Sequence, residues 1–164
     1  MPHFLALCAV GAEPILSNEL KLLQFKPEHR LAGRVFFTAK KTEPEAVSML
    51  RAHLSLRTAD RIYLVLKEFE ANDFDTLFDT VSALDWHRFF YKDAKITVDK
   101  VRIFKSRLSS EHAVQKAVHK GICSALCSAW KMSVLPETGM EYTVRIYIEH
   151  NRVYVLLDLS GEPL

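Results

Sequence analysis

The segment VRIFKSRLSSEHAVQKAVHKGI, residues 101–122, sets the pattern for the second half of the chain. Val101 and Ile103 lie two positions apart, as on the buried face of a strand. Two adjacent serines then stand where a helix can be capped, and the apolar spacing that follows predicts a helix to about residue 131. The segment therefore predicts a strand end, a serine-rich turn and a long helix.

Further strands are predicted on both sides of this unit. Residues 94–104 read as one long strand whose buried positions change parity, which predicts a bulge near residues 99–100. Apolar alternation over 142–159 predicts a hairpin. His150 and Asn151 are expected in its turn, because asparagine tolerates the left-handed backbone that such a turn requires.

The first 70 residues show apolar patterns in the order strand, helix, strand, strand, helix, strand. This order is that of a ferredoxin-like unit. The polar stretch at 70–73 is the best candidate for a boundary between two subdomains. We therefore predict an α+β chain, with a ferredoxin-like subdomain at 1–70 and a second α/β subdomain at 71–164.

The second helix of the first subdomain carries two signals. Thr42 and Glu45 have the spacing of a capping box, in which each side chain bonds the backbone amide of the other residue. Val47, Leu50 and Leu54 recur at helical spacing. These three apolar residues are therefore expected to face the core.

Composition excludes several classes of protein. The 164 residues are 49% hydrophobic and 26% charged, as in globular domains and unlike disordered, collagen-like or coiled-coil chains. Three cysteines are too few, and odd in number, for a disulfide framework, which indicates a reducing compartment. The sequence shows neither a signal peptide nor an apolar run long enough to span a bilayer. We therefore expect a cytoplasmic protein without a membrane partner.

Basic residues are concentrated in one window, residues 100–120. Six lysines and arginines stand there against one glutamate, so the window has a net charge of +5. The whole chain has a net charge of +2, so the residues outside the window have a net charge of −3. At ~100° per residue the basic side chains of the helix lie opposite its apolar face. A strand end, a serine-rich turn and a basic helix face can together hold phosphates, although a solvated surface shows the same pattern. The candidate RNA-binding residues are Lys100, Arg102, Lys105, Ser106, Arg107, Ser109, Ser110, His112, Lys116, His119 and Lys120.

Other candidate sites carry weaker signals. His119, Cys123 and Cys127 recur every four residues, but the outer two lie ~12 Å apart along a helix, too far for one metal ion without distortion. Asp158, between two leucines, fits a hydrogen-bonding role better than that of a general base. Nucleotide-binding, hydrolase and metalloprotease motifs are absent from the sequence. We therefore predict a binding module, with no catalytic, cofactor-binding or metal-binding residue.

An aromatic segment at 86–91 follows a predicted helix at 74–84. Trp86, His87 and Tyr91 have the chemistry to stack on nucleic-acid bases. Aromatic side chains in such segments more often cover a core. We therefore expect these residues to serve packing.

Four segments give the chain a family resemblance. They are FLALCAVGAEPILSNELKLLQF at 4–25, LRTADRIYLVL at 56–66, the strand–turn–helix segment at 101–122 and VYVLLDLSGEPL at 153–164. In this order they resemble the N-terminal region of THUMP-containing RNA methyltransferases, notably bacterial large-subunit rRNA guanine-N2 methyltransferases. The resemblance extends over nearly the whole chain.

The resemblance implies a division of labour. A ferredoxin-like subdomain and a THUMP domain bind and position structured RNA, most of all rRNA, and DNA is not an expected partner. S-adenosylmethionine binding and methyl transfer are implied for a covalently linked methyltransferase domain, which we expect to lie outside these residues. Charge and resemblance select the same phosphate-binding residues, with Ser106 beside them: Lys105, Arg107, Lys116 and Lys120.

Three alternatives stay open at this point. The THUMP module could serve a tRNA methyltransferase, a thiouridine-forming enzyme or a deaminase. Two small α+β units could instead form a regulatory sensor or a protein-docking module, which would lack salt-sensitive RNA affinity. The third alternative is a metalloprotein built on His119, Cys123 and Cys127.

Overall fold

The computed structural model describes residues 3–158 and 160. Contacts within the chain divide it into two compact units, Met1–Leu66 with Asp158–Leu164, and Lys67–Leu157. The predicted domain limits at 70 and 71 stay a prediction. The elements in chain order are β1 (His3–Leu7), α1 (Glu13–Leu22), β2 (Lys26–Leu31), β3 (Arg34–Thr38), α2 (Glu45–Ser55), β4 (Arg61–Glu70), α3 (Phe74–Ser82), a short 3-10 helix (Trp86–Arg88), β5 (Lys95–Phe104), α4 (Glu111–Trp130), β6 (Glu141–Glu149) and β7 (Arg152–Asp158).

The first unit has the βαββαβ order of a ferredoxin-like fold, with strands in the order β2-β3-β1-β4. β1 pairs antiparallel with β3 and β4, and β2 pairs antiparallel with β3. The ring of Phe37 in β3 stacks on Phe4 of β1 at 5.3 Å between centroids, and Phe25 meets it edge-on at 5.2 Å. These aromatic rings lie in the core of the unit, and the predicted ferredoxin-like order is confirmed.

Helix α1 begins at a glutamate that joins two loops of the first unit. The Glu13 carboxylate accepts the backbone amide of Gly33 at 2.6 Å and that of Gly11 at 2.9 Å. Gly33 has a φ of +70°, a left-handed conformation that glycine adopts without strain. Pro14 follows in the first helical turn, where its missing N–H leaves no intrahelical bond unmade.

Helix α2 presents a different face to the core from the one predicted. Val47, Leu50 and Leu54 are 51%, 58% and 78% exposed, so their predicted inward orientation is wrong. The buried residues of the helix are Ser48 and Ala52, whose small side chains permit close packing. Apolar spacing identified the helix, but its most apolar side points away from the core of its own unit.

The predicted capping box at the start of α2 is also wrong. The helix begins at Glu45 with Pro44 in the N-cap position and no side-chain cap. Thr42 therefore lies two residues too early to cap it. Instead, the Glu43 carboxylate binds the Arg51 guanidinium at 2.7 Å and the Ser48 hydroxyl.

The second unit contains α3, α4 and three neighbouring strands in the order β7-β6-β5, and the last four residues of β4 also fall within its bounds. β6 pairs parallel with β5 and antiparallel with β7. Helix α4 packs on both β5 and α3. Gly121 allows the close approach to α3, because a Cβ atom there would lie 3.1 Å from Val81. The buried side of α4 consists of Val114, Val118, Gly121, Ile122 and Leu126.

Two backbone irregularities of this unit are those that the sequence predicts. The register of β5 on β6 shifts between Asp99 and Arg102, and Lys100 has a φ of +35°. His150 and Asn151 form the two-residue turn between β6 and β7, with φ values of +50° and +64°. The predicted bulge and hairpin turn are therefore confirmed.

The long helix α4 also follows the prediction. Ser110 is its N-cap residue, and the hydroxyl accepts the Ala113 amide at 3.3 Å. Leu159, the predicted last residue of the final strand, lies outside the described residues. No helix in the described part of the chain is long and apolar enough to cross a membrane.

Candidate nucleic-acid interface

The basic segment, residues 100–120, runs from the bulge in β5 through a loop into α4. All six of its lysines and arginines are exposed. Lys105, the first residue after β5, has a φ of +47° and places its ammonium group 5.2 Å from the centre of the Phe104 ring. Strand, loop and helix thus place positive charge along a continuous stretch of the second unit.

The loop between β5 and α4 is held by Asn151 in the β6–β7 turn. Oδ1 of Asn151 accepts a hydrogen bond from the Ser106 hydroxyl at 3.0 Å and another from the Arg107 amide at 2.8 Å. Oγ of Ser106 in turn accepts the Leu108 amide at 3.2 Å, and the Leu108 side chain is buried. The Arg107 backbone is therefore fixed while its side chain stays exposed. Sequence reasoning placed Asn151 in the turn but missed this positioning role.

The start of α4 presents the remaining predicted residues. Ser109, His112 and Lys116 are exposed, whereas the Ser110 hydroxyl is engaged as the helix cap. One turn further on, Lys120 is exposed beside α3. Unpaired amides and the helix dipole make the N-terminal end of a helix favourable for negative charge. The lysines of α4 and the start of the helix therefore both attract an anionic partner.

The cations of the basic segment have no carboxylate partners in the part of the chain that the structure describes. Within residues 3–158 and 160, none of the six lies within 4.0 Å of a carboxylate oxygen. Their charge is therefore not neutralised by a neighbouring carboxylate and can face an anionic partner. The paired cations outside the segment are Arg51 with Glu43, Arg61 with Asp158, Lys95 with Glu141, Arg145 with Asp99 and Arg152 with Glu68.

His119 is the candidate residue most engaged with other side chains. Its Nε2 atom lies 3.8 Å from Oε1 of Glu137, and both ring nitrogens lie 3.8 Å from Sγ of Cys123. Burial, with a smaller contribution from Glu137, raises the pKa of Cys123 to about 11, so the thiol stays protonated at neutral pH. Among the described residues no group of three or more histidine, cysteine or acidic side chains could hold a metal ion.

Two other residues considered from the sequence take part in packing and hydrogen bonding. The Asp158 carboxylate lies 2.9 Å from the Arg61 guanidinium and accepts the Ser160 amide at 3.0 Å, with only 7% of its side chain exposed. Trp86 is buried, and its Nε1 donates to the Val81 carbonyl at 2.7 Å. Both side chains are therefore almost fully buried and engaged in hydrogen bonds.

The fold and the basic segment define a class: an α+β protein with a ferredoxin-like unit and a second unit that exposes unpaired cations, as nucleic-acid-binding modules do. Two family models match the chain, the RlmL ferredoxin-like domain over residues 3–63 and the THUMP domain over residues 71–158. The chain belongs to the THUMP domain family. The predicted order of a ferredoxin-like domain followed by a THUMP domain is thereby confirmed.

The chain is similar to several methyltransferases. It is 33% identical over 162 residues to YpsC of Bacillus subtilis (strain 168), which is assigned as an RNA methyltransferase. The matched region covers 98% of this chain and 40% of YpsC. It is 23% identical over 168 residues to ribosomal RNA large subunit methyltransferase K/L of Buchnera aphidicola subsp. Acyrthosiphon pisum (strain APS). This match covers 94% of this chain and 21% of the K/L enzyme.

A solved structure supports the same relationship. SMU.472, assigned as a methyltransferase and complexed with SAH, superposes with a TM-score of 0.85 at 30% identity, over 98% of this chain and 42% of that one. The chain thus spans about 40% of the length of YpsC and of SMU.472, and 21% of the K/L enzyme.

Proposed function

We propose that this chain binds structured RNA and positions it for a methyltransferase. The observation that carries the proposal is the concentration of charge: residues 100–120 hold six exposed cations against one glutamate, and none of the six has a carboxylate partner among the described residues. An unpaired cluster of lysine and arginine keeps its full attraction for phosphates. The membership of the second unit in the THUMP domain family supports RNA as the source of those phosphates.

The proposed contacts centre on the loop and the start of α4. Lys105 and Arg107 bind phosphates from the loop, and Lys116 and Lys120 extend the contact along the helix. Phosphate contacts fix the position of an RNA without reading its bases. In A-form RNA the base edges of the major groove are out of reach of side chains, so we expect recognition of RNA shape.

We further propose large-subunit rRNA as the substrate and the N2 atom of a guanine as the methylated position. The similarity to YpsC and to the K/L enzymes supports an RNA methyltransferase, and guanine-N2 rests on the resemblance of the four sequence segments. S-adenosylmethionine would bind to a linked methyltransferase domain, an assignment supported by SAH in the complex of SMU.472. This chain would then supply binding and orientation of the RNA.

The direct test is fluorescence anisotropy of the 164-residue chain with a labelled hairpin from large-subunit rRNA at several salt concentrations. The double variant Lys105→Glu, Arg107→Glu should bind on the order of tenfold more weakly or worse. Its matched control is Lys40→Glu, Lys41→Glu, which makes the same charge change at exposed positions of the first unit. Equal losses in the two double variants, or no RNA binding by the folded wild-type chain at low salt, would overturn the proposal.

The nature of the modification has a separate test. Disruption of the gene should remove one N2-methylguanosine from large-subunit rRNA, as measured by mass spectrometry of its nucleosides. The intact gene should restore the modification, and the gene with Lys105→Glu and Arg107→Glu should restore less of it. Unchanged rRNA in the disrupted strain would contradict the rRNA substrate.

A further inference from the structure

Phe104 is an aromatic residue exposed within the basic segment. It is the last residue of β5, and 50% of its surface is accessible to solvent. Arg102 lies two positions earlier on the strand, with its side chain toward the same face of the sheet, and Lys105 follows directly. Both cations are exposed. An apolar ring is therefore bordered by positive charge on both sides along the chain.

The surroundings of Phe104 hold the residue in place while half of it stays exposed. The His150 ring meets the Phe104 ring edge-on at 5.8 Å, and the His150 amide donates to the Phe104 carbonyl at 3.0 Å. Lys105, His150 and Asn151 all have left-handed backbones, with φ values of +47°, +50° and +64°. At His150 and Asn151 this backbone is the one that the two-residue β6–β7 turn requires, and at Lys105 it directly follows the end of β5 at Phe104.

We propose that Phe104 stacks on the base of an unpaired nucleotide in the bound RNA. This inference rests on the proposed RNA-binding function and adds a substrate class to it: structured RNA with at least one unpaired nucleotide beside its helix. An aromatic ring next to phosphate-binding cations is the arrangement with which proteins hold single-stranded nucleotides. Bases within an uninterrupted helix offer no free face, because both faces are stacked on neighbouring pairs.

Lys105 and Glu149 determine which part of the nucleotide belongs at Phe104. In the free protein the Lys105 ammonium lies 5.2 Å from the ring centre. A base takes its place over the ring, and the ammonium then turns to the phosphate of the same nucleotide. Glu149 is the partner of Phe104 in the β5–β6 register, and its negative charge disfavours a phosphate at this position while leaving it open to a base.

The test compares two labelled RNAs, a short blunt-ended duplex and the same duplex with a single-stranded extension that contains 2-aminopurine, a fluorescent base quenched by stacking. Extensions at the 5′ and the 3′ end are measured separately. Phe104→Ala should weaken binding of an extended RNA by about tenfold and leave the affinity for the blunt duplex unchanged. Quenching of 2-aminopurine should occur with the wild-type chain and be lost in the variant.

Further variants separate stacking from folding. Phe104→Leu keeps an apolar side chain without a ring and should behave like Phe104→Ala, whereas Phe104→Trp should retain binding and quenching. Phe74→Ala removes another partly exposed phenylalanine of the same unit and serves as the control. Equal losses for blunt and extended RNAs, or full quenching by Phe104→Leu, would overturn the inference while the proposed function stands. Failure of the wild-type chain to bind either RNA would overturn both.

Discussion

The Oδ1 atom of Asn151 accepts the backbone amide of Arg107 at 2.8 Å, although the two residues are 44 positions apart in the chain. The same atom accepts the Ser106 hydroxyl at 3.0 Å. One side chain in the β6–β7 turn thus fixes the backbone of the loop that carries the central cations of the basic segment. The proposed phosphate contacts depend on this turn as well as on the charges themselves.

Replacement of Asn151 by glycine should loosen that loop. Glycine adopts the φ of +64° found at this position, so the turn is kept and only the acceptor is lost. We expect the free energy of unfolding to fall by about 0.5–1.5 kcal/mol, and RNA affinity by a factor on the order of three, because the loop must then be ordered on binding. Urea denaturation and fluorescence anisotropy measure the two effects.

Asn151→Asp is the matched control for the acceptor. Its carboxylate can accept the same two hydrogen bonds, so the free energy of unfolding should stay close to that of the wild type. Its negative charge beside Lys105 and Arg107 should nevertheless weaken RNA binding, and the loss should be larger at low salt. Equal RNA affinity for Asn151→Gly and the wild-type chain would show that the hydrogen bonds do not position Arg107.

The lysines of α4 should contribute to the salt dependence of RNA binding. Each phosphate contact that is removed should reduce the slope of log K against log salt concentration by about 0.7–0.9. Lys116→Glu with Lys120→Glu should therefore flatten the slope, whereas Lys116→Arg with Lys120→Arg should preserve it. An unchanged slope in the glutamate variant would confine the RNA contact to the loop.

The sequence predicts the elements of the fold more reliably than the orientation of helices against their sheet. The βαββαβ order and the β5 bulge follow from local patterns, because a change of parity within one strand is visible in that strand alone. Helix α2 shows the limit: periodicity finds an apolar side at Val47, Leu50 and Leu54, but these residues are exposed and Ser48 and Ala52 are buried. Which side packs inward depends on the partner surface, and no local pattern carries that information.

The candidate site likewise has features that the sequence predicts and others that only the folded structure reveals. The charge excess of residues 100–120 is a property of one continuous window and can be counted. The role of Asn151 depends on a contact between distant parts of the chain, so only its suitability for a left-handed turn was visible. The hydroxyls of Ser106 and Ser110 likewise belong to a side-chain hydrogen bond and a helix cap, roles that a list of polar residues does not distinguish from ligand contacts.

Trp86 should matter for stability and not for RNA binding. Its indole is buried, donates to the Val81 carbonyl at 2.7 Å and stacks on Phe90 at 5.7 Å between ring centres. Trp86→Phe removes the donor and part of the ring, so the free energy of unfolding should fall by about 1–3 kcal/mol. RNA affinity should not change at a temperature where both proteins are folded.

Tyr91 provides the comparison for Trp86 in the same aromatic segment. It is 75% exposed, so the expectation that it serves packing is wrong. Tyr91→Ala should therefore change the free energy of unfolding by no more than about 0.5 kcal/mol. A loss of RNA affinity in Trp86→Phe without a loss of stability would instead favour base stacking by this segment.

Glu13 should make the stability of the first unit depend on pH. Hydrogen bonds from backbone amides lower the pKa of Glu13 below its usual 4.5. The amide of Gly33 has the largest effect, and the amides of Glu13 itself and of Gly11 add to it. A carboxyl group whose pKa is lowered by folding stabilises the folded state above the unfolded pKa, and this stabilisation is lost as pH falls through the folded pKa. The wild-type chain should therefore be more stable than Glu13→Gln at neutral pH, and the difference should shrink below about pH 4.5.

Urea denaturation of the wild-type chain and Glu13→Gln from about pH 7 to about pH 3 measures that difference. Glu45→Gln is the control, because Glu45 occupies the first turn of α2 as Glu13 occupies that of α1. If the difference between the wild-type chain and Glu13→Gln stays constant over the whole range, the ionised carboxylate does not hold the two loops. If it shrinks for Glu13→Gln more than for Glu45→Gln, the effect belongs to the amides of Gly11 and Gly33 and not to negative charge near a helix start.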